Sequence, residues 1–573
     1  MPFSALRKVS PYQALALCAA LCVVNLGCNA QSPSSPVQSP ISSVDAAAIS
    51  ARLHQIAASG TLSGLDWPNF SDYRLHFEHV YEVSNFTPIW LNNTQPTPQA
   101  LLIIQALEAS RQKGLNPDDY DASRWSARLD ALKNSPGADT LATFDAALTV
   151  SAMRYISDLH IGRVNPKHFN FGIDIEQKKY DLPQFLTQDV IHAANLPAVL
   201  AGVEPPYSGY RRTEAALQHY IQLAAEGDSP PVPGVQKSIA PGDAYAGIQQ
   251  LAQRLQLLGD LPPSASVDSS SQQYTGALVS AVERFQARHG LTPDGKLGKE
   301  TIRQINVPLA ARARQLQDAL ERWRWLPPSF PQPPVVVNVP EFVLRAFDGN
   351  HQVALAMNVV VGKAVRNETP VFAKDMRYIV FRPYWNVPNS ILRGEIIRSI
   401  LKNRNYIASK NFEVTDLNGK PVTSGPISDE VLAQLRSGKL AVRQKPGPAN
   451  SLGLVKFIFP NEHSVYLHST PAAQLFSQSR RDFSHGCIRV QKPAELAAWL
   501  LRNQPPWNLE KVQAAMQSGP DNQQVNLTAP VPVLILYVTA VVEEDGSVHF
   551  FDDIYGHDKA LEAVLAKGQP YPG

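Results

Sequence analysis

One short stretch of the chain combines the residue types of a thiol-based catalytic site. It reads Ser484-His485-Gly486-Cys487-Ile488-Arg489, and His468 lies nineteen positions before the cysteine. Cysteine acts as a nucleophile in its thiolate form, so it needs a nearby base or positive charge. His485 is too close along the chain to serve easily as that base. His468 ends an alternating apolar segment, which predicts a strand that could lie beside the cysteine's own.

A second interpretation of the same residues is a buried structural cysteine beside two core histidines, because free cysteine is commonly buried as a small hydrophobe. The residues around the sulfur favour the nucleophile. Gly486 allows backbone and substrate to approach closely, and Arg489 adds a fixed positive charge.

The number and positions of the cysteines further favour the interpretation of Cys487 as a nucleophile. Of the four cysteines, Cys18, Cys22 and Cys28 lie in or beside an N-terminal signal, so the mature body keeps Cys487 alone. A lone thiol in an exported protein is a candidate reactive residue. A disulfide within the mature body is excluded, and no metal site or cofactor is predicted, because zinc would have to combine one sulfur with histidines.

Length and composition indicate a globular protein of several domains. The 573 residues are too many for one core and suggest three or four domains. Hydrophobic residues make up 44% of the chain and charged residues 18%. The net charge of +2 gives no electrostatic case for nucleic-acid binding.

Residues 1–30 have the features of an export signal. Arg7 and Lys8 precede an apolar run, residues 12–26, that is short for a bilayer span. Cys28 follows Leu-Gly as in a lipoprotein processing site, although Asn25 fits that pattern poorly; cleavage after Ala30 or retention as a membrane anchor are the alternatives. We expect a periplasmic protein, with membrane contact only through this N-terminus.

The remaining segments differ in periodicity. Residues 31–44 are a flexible tether by composition, and residues 45–226 have helical spacing of apolar residues. Residues 243–306 predict a compact three-helix unit. Residues 307–334 predict a connecting helix, whose arginines we interpret as a solvated face, followed by a proline-rich linker.

The period changes to short β runs at Val335, which predicts a mostly antiparallel β domain over residues 335–573. Residues 391–440 interrupt it with helical spacing. The sequence therefore predicts a multi-domain α+β protein: a helical N-terminal scaffold, a three-helix module and a mostly β domain with a helical insertion.

The His-x-x and Ser-His-Gly-Cys-x-Arg signatures resemble those of the L,D-transpeptidases, whose catalytic module is the YkuD domain. Residues 243–306 resemble a peptidoglycan-binding module through Phe-Gln-x-x-His-Gly-Leu and Asp-Gly-x-x-Gly-x-x-Thr. Residues 45–226 resemble the scaffold of large members of the family, notably at residues 114–120 and 162–164. The resemblance covers most of the mature chain and implies that the 391–440 insertion is a lid, the alternative being a surface decoration.

The motif and the resemblance together assign roles to ten residues. Cys487 is the expected nucleophile and His468 its proton shuttle, oriented by Ser469. The N–H groups of Gly486 and Cys487 are the expected oxyanion donors. The substrate-binding candidates are Ser484 and His485 (loop shape), Arg489 (cleft organisation or a carboxylate) and, by resemblance, Tyr384, Trp385 and Asn386.

The resemblance implies an enzyme of cell-wall biogenesis, and thereby of cell shape, that acts on a tetrapeptide donor stem. The donor would be cut at its third residue to form a cysteine thioester and a 3→3 cross-link. Carbapenems are the expected inhibitors. The alternatives are an L,D-carboxypeptidase or amidase, a transpeptidase that anchors lipoproteins, and a non-catalytic wall-binding protein.

Overall fold

Helix α5 (Ala138–Ile161) is apolar on most of its circumference, and such a helix is stable only when other helices surround it. The computed structural model describes residues 43–572 except 266 and 269–271. The predicted signal (1–30) and all but the last two residues of the predicted tether (31–44) lie outside the described residues. Around α5, the N-terminal unit comprises a short hairpin, β1 (Leu91–Asn92) and β2 (Gln95–Pro96), and the helices α1 (Ser43–Ser59), α2 (Arg74–Val83), α3 (Pro98–Glu108), α4 (Trp125–Asn134), α6 (Leu182–Phe185), α7 (Leu196–Val203) and α8 (Ser208–Glu226).

Buried Asp145 connects α5 to α2 and to the segment that follows α2. Its carboxylate accepts hydrogen bonds from the Tyr81 hydroxyl at 2.6 Å and from the N–H groups of Ile89 and Trp90 at 3.1 and 2.8 Å. A buried carboxylate needs such donors, because desolvation otherwise makes it costly. Burial still raises the Asp145 pKa to about 6.

The three-helix module forms a separate apolar cluster. It consists of α9 (Ile248–Leu257), α10 (Ala277–Arg288) and α11 (Lys299–Ile305), with Phe285 at its centre. His289 is buried, donates from Nδ1 to the Phe285 carbonyl at 2.7 Å and stacks on the Phe285 ring at 3.8 Å. It is therefore a packing residue of the module.

The prediction that the connecting helix α12 (Leu309–Arg324) exposes its arginines is wrong for three of them. Arg312, Arg322 and Arg324 are buried. The helix runs between α8 and the C-terminal part of the chain, and buried carboxylates lie on both sides of it. Charge alone marked these arginines as surface residues, whereas contacts formed in the fold decide their burial: Arg322 pairs with Asp558, Arg324 pairs with Glu321, and Arg312 donates to Gln304.

The β domain is built on one nine-stranded sheet that closes on itself. Its strands are β3 (Val335–Asn338), β4 (Val343–Phe347), β5 (Val353–Gly362), β6 (Phe372–Phe381), β11 (Val455–Ile458), β12 (Leu467–His468), β13 (Asp482–Ser484), β14 (Ile488–Val490) and β15 (Gln523–Leu536). The order is β13-β5-β14-β12-β11-β6-β15-β3-β4, and a further β4–β5 pairing makes eight of the strands a closed barrel. A barrel of eight strands is filled by its own side chains.

Alternation along each strand divides the barrel into a packed interior and an outer face. Leu467, Ile488, Val455 and Phe457 lie in the interior cluster. Their neighbours in sequence therefore point outward. The N-terminal unit contributes to the same interior through Phe171, and Gly172 bridges to Phe372 at the start of β6.

The insertion contains a second sheet besides helices, which differs from the expected helical character. The helices are α13 (Asn389–Ile391), α14 (Ile397–Lys402), α15 (Tyr406–Ser409) and α16 (Asp429–Ser437), with a π-helical turn over Leu392–Ile396. The strands are β7 (Trp385–Asn386), β8 (Phe412–Thr415), β9 (Pro421–Thr423) and β10 (Ala441–Gln444), in the order β7-β10-β8-β9. We call residues 385–444 the cap. It has an apolar core of its own.

The C-terminal segment returns to the helical parts of the molecule. After α17 (Pro493–Leu500) and α18 (Leu509–Ser518), the hairpin β16 (Ala540–Val542) and β17 (Val548–Phe550) packs against α8 and α12. Helix α19 (His557–Leu565) follows, and Tyr571 donates to Asp119 at 2.5 Å. The predicted multi-domain α+β class is confirmed. None of the helices within the described ranges has the length and apolarity to cross a membrane.

Candidate active site

Cys487 and His468 lie on neighbouring parallel strands of the barrel. In the β12–β14 pair, Leu467 is opposite Ile488 and His468 is opposite Arg489. Since Leu467 and Ile488 point inward, Tyr466, His468, Cys487 and Arg489 share the outer face. Cys487 precedes β14 and is diagonal to His468, so their Cα atoms are about 8 Å apart by strand geometry. The structure thus brings the predicted pair to one face, without a direct hydrogen bond between them.

The loop before the cysteine is fixed by Ser484. Its buried hydroxyl donates to the Cys487 carbonyl at 2.6 Å and accepts from the Gly486 N–H at 3.1 Å. Gly486 has a φ of 113°, a conformation that strains any residue with a Cβ. Its carbonyl accepts from the Thr369 hydroxyl at 2.8 Å. Ser484, a substrate-binding candidate through its expected effect on loop shape, therefore uses its hydroxyl inside the loop.

The two expected oxyanion donors differ in whether their N–H group is already hydrogen-bonded. The Gly486 N–H is occupied by Ser484. The Cys487 N–H has no hydrogen-bond acceptor within the described part of the chain. An oxyanion can therefore be met by the Cys487 N–H directly, whereas Gly486 would first have to release Ser484.

The surroundings of the Cys487 thiol shift its pKa in opposite directions. Burial raises the Cys487 pKa, while the nearby N–H and hydroxyl of Tyr466 and the charge of Arg489 lower it. Sγ also lies 3.8 Å from the Ser464 carbonyl, as a weak donor. The net pKa shift is upward, so the resting group is the thiol.

Tyr466 is the functional candidate that sequence reasoning missed. Its hydroxyl lies close enough to the sulfur to lower the Cys487 pKa, and Trp385 in turn lowers the pKa of Tyr466 against the effect of burial. The signal was present, because Tyr466 is two positions before His468 on a strand and must share its face. Its contact with the sulfur follows only from the parallel pairing with the cysteine's strand.

His468 is buried and oriented by the main chain. Its Nδ1 donates to the Ser469 carbonyl at 2.5 Å, which in the neutral ring leaves Nε2 as the acceptor nitrogen. Burial and the Arg489 charge lower its pKa to about 3, against hydrogen bonds to the Ser469 and Leu452 carbonyls. The imidazole is neutral near pH 7 and can accept a proton. Ser469 thus orients His468 through its carbonyl.

Arg489 is half-buried on the same face. Its Nε atom is buried and has no hydrogen-bond partner in the described residues. Burial lowers its pKa, and a Cys487 thiolate would oppose that shift. The guanidinium can therefore stabilise negative charge at the sulfur or on a ligand.

The cap reaches the cysteine loop at two points. His485 is exposed and its Nε2 lies 2.7 Å from Glu395 Oε1 in the π-helical turn. Trp385 is close to Tyr466 and lowers the Tyr466 pKa against the effect of burial.

The other two predicted cleft residues lie nearby without contact to the sulfur. Tyr384 is half-buried, and the Arg443 guanidinium lies 4.2 Å from its ring centroid. Asn386 is exposed at the edge of the cap sheet, opposite Arg443. In the described part of the chain, no group of three or more His, Cys, Asp or Glu side chains could hold a metal ion.

Comparison with known proteins assigns families to three stretches. Residues 76–217 match a scaffold domain, residues 245–305 a "putative peptidoglycan binding domain" and residues 333–528 an L,D-transpeptidase catalytic domain. Over 232 residues the chain is 31% identical to a Haemophilus influenzae protein named "Putative L,D-transpeptidase". That alignment covers 40% of this chain and 45% of the relative, so the chain spans less than half the length of the curated relative it matches.

Proposed function

We propose that this chain, whose residues 333–528 belong to the L,D-transpeptidase catalytic-domain family, forms 3→3 cross-links between peptidoglycan stems through a thioester on Cys487. The observation that carries the proposal is the shared outer face of β12 and the cysteine loop. There a neutral imidazole, a thiol beside the Tyr466 hydroxyl and, among the described residues, an unoccupied backbone N–H lie together, and the cap contacts the cysteine loop through Glu395. The peptidoglycan-binding domain in the same chain supports a wall substrate.

The first half-reaction forms the thioester. Cys487 Sγ attacks the carbonyl carbon of the third stem residue, and the thiol proton passes to His468. The oxyanion accepts a hydrogen bond from the Cys487 N–H, a contact worth about 2.7–4 kcal/mol in comparable sites. When the C–N bond breaks, the imidazolium protonates the amine of the departing D-alanine.

The second half-reaction transfers the acyl group. The amine of an acceptor stem attacks the thioester carbonyl and gives a proton to His468. The C–S bond breaks and the sulfur takes that proton back, which restores the resting thiol. Water in place of the amine would make the same site a carboxypeptidase, and a lipoprotein amine would make it an anchoring enzyme.

The proposal includes a location. A wall substrate lies outside the cytoplasmic membrane, and the N-terminal basic and apolar segments of residues 1–30 have the features of an export signal. We place the protein in the periplasm, with tethering through the N-terminus if Cys28 is lipidated.

The test combines a covalent probe with product analysis. The purified protein and its Cys487→Ala, His468→Ala and His463→Ala variants are incubated with a carbapenem and followed by intact-mass spectrometry. We expect one adduct on the native protein, none on Cys487→Ala, slow formation on His468→Ala and normal formation on the exposed control His463→Ala.

A tetrapeptide stem with and without an acceptor stem separates the possible outcomes. A cross-linked dimer with release of D-alanine supports the proposal. D-alanine release without dimer would establish a carboxypeptidase. If the native protein formed no carbapenem adduct and released no D-alanine, wall binding would be left as its function.

A further inference from the structure

A row of three polar residues crosses the catalytic face of the barrel. His468 is in register with Arg489 on β14 and with Lys456 on β11. Val455 and Phe457, on either side of Lys456, point into the barrel core, so Lys456 points to the outer face. A lysine and an arginine therefore flank the candidate base on its two sides.

Neither cation has a carboxylate partner among the described residues. Lys456 is half-buried and forms no ion pair or hydrogen bond with its ammonium group there, and burial alone lowers its pKa. The Arg489 Nε is buried without a hydrogen-bond partner among the described residues, and Cys487, which rests as the thiol, is an ionisable neighbour that acts on the Arg489 pKa. Partly buried cations are normally paired, because desolvation is costly without compensation.

Other cations close to the site do have partners. Arg443 binds Glu413 at 2.6 Å, and Lys445 lies 3.7 Å from the same carboxylate. Arg481 donates to the carbonyls of Val359 and Phe342. Unlike these three cations, Lys456 and Arg489 have neither a hydrogen-bond nor an ion-pair partner among the described residues, which indicates a missing anion.

Strand geometry allows one anion to meet both cations. The backbones of β14 and β11 are two strand spacings apart, or about 10 Å, and long side chains from both can converge above the strand between them. His468 is neutral and contributes no compensating charge. A planar carboxylate fits a guanidinium in a two-point contact.

We propose that Lys456 and Arg489 form the carboxylate-binding site for the donor peptide, with Lys456 as a substrate-binding residue. The inference rests on the proposed function, since it concerns the substrate of that site. Two carboxylates of a stem peptide lie near the scissile bond: the C-terminal carboxylate of the leaving amino acid, and the side-chain carboxylate of a diaminopimelate at the third position.

Three synthetic tetrapeptides distinguish these sources. One carries both carboxylates, the second has a C-terminal amide, and the third has lysine in place of diaminopimelate. Release of the fourth residue is measured for the native protein, Lys456→Met, Lys456→Arg and a control, Lys511→Met, which removes an exposed lysine on α18. Alkylation by neutral iodoacetamide reports separately on Cys487.

We expect Lys456→Met to raise KM for the first peptide by about 10- to 100-fold, the range for a lost hydrogen bond to a charged group. Lys456→Arg should restore most of the loss, and Lys511→Met should behave as the native protein. The effect of Lys456→Met should vanish for whichever peptide lacks the recognised carboxylate, and its alkylation rate should stay within about twofold of native.

An equal effect of Lys456→Met on all three peptides, or none on any, would overturn the inference while leaving the transpeptidase proposal intact. Loss of iodoacetamide reactivity in Lys456→Met together with lost turnover would also overturn it, because Lys456 would then support the fold of the site. Failure of the native protein to release the fourth residue from any peptide would overturn the proposed function itself, and this inference with it.

Discussion

Helix α12 and the catalytic face of the barrel both remove cations from water, yet within the described residues Arg322 and Arg324 of α12 face carboxylates, whereas Lys456 and Arg489 of the barrel do not. On α12, Arg322 forms an ion pair with Asp558 at 2.5 Å, and Arg324 donates to the Lys113 carbonyl at 2.5 Å and the Tyr210 hydroxyl at 3.1 Å. On the catalytic face, Lys456 and Arg489 have no such partners within the described residues. The pairing on α12 joins parts of the fold, whereas the lack of pairing on the barrel indicates a site for a ligand.

Glu321 shows how the α12 charges hold the molecule together. It is fully buried, and its Oε1 accepts from the N–H groups of Arg163 and Val164 at 2.6 and 3.0 Å. Its carboxylate also faces the Arg163 and Arg324 guanidinium groups at 3.5 and 3.8 Å. Glu321 therefore connects helix α12 to the segment after α5, in which Val164 belongs to the apolar cluster of the barrel.

The largest expected effect on stability comes from removing the Glu321 carboxylate. Glu321→Ala removes the carboxylate that faces two buried guanidinium groups, and removing one partner of a buried ion pair costs about 3–5 kcal/mol. We expect a lower melting temperature in calorimetry, with Glu226→Ala at the exposed end of α8 as the control. A melting temperature equal to the native value would show that these buried charges do not stabilise the fold.

His468 gives the next effect, which depends on pH. Its pKa is about 3 in the folded protein against 6.5 unperturbed, so between these values the unfolded chain binds more protons. The free energy of unfolding therefore falls as pH falls from about 6.5 towards 3. We expect urea unfolding between pH 7 and 5 to show a smaller pH dependence for His468→Gln than for the native protein. An unchanged slope, matching the surface control His463→Gln, would contradict the burial of a neutral imidazole.

On the catalytic face of the barrel, Tyr466→Phe tests how far the Tyr466 hydroxyl stabilises the Cys487 thiolate. The variant removes the hydroxyl that lowers the Cys487 pKa, and a hydrogen bond from it to the thiolate would be worth about 1.5–3 kcal/mol. We expect the rate of iodoacetamide alkylation at neutral pH to fall about tenfold or more, and its pH profile to move to higher pH. Tyr378→Phe, on β6, is the matched control. A native alkylation rate in Tyr466→Phe would mean that the hydroxyl does not stabilise the thiolate.

The smallest effect is expected at the exposed pair between the cap and the cysteine loop. Glu395→Gln removes a contact of the surface type, worth about 0.2–1 kcal/mol. We expect little change in melting temperature and a modest, salt-sensitive increase in hydrogen exchange over residues 392–402. Exchange equal to native at low salt would show that the pair does not hold the cap to the loop.

Some of the fold could be predicted from local pattern alone. Alternation identified the strands around Val335, Ala354 and Tyr378, and helical spacing identified the module around Phe285, because these periods reflect which face is buried. The same patterns missed the cap sheet. Its strands β8 and β10 are four residues each and lie in a segment whose longer apolar spacing is helical.

The sequence by itself determined the chemistry of the candidate site: a single cysteine in the body of the chain, a glycine before it and a histidine at the end of a strand. Only the tertiary structure decided what these residues meet. The parallel pairing of β12 with β14 brings Tyr466 to the sulfur and Arg489 to one side of His468, and the antiparallel pairing of β11 with β12 places Lys456 on the other side. The physical reason is that side-chain type and period are local properties, whereas register and charge pairing arise between segments far apart in the chain.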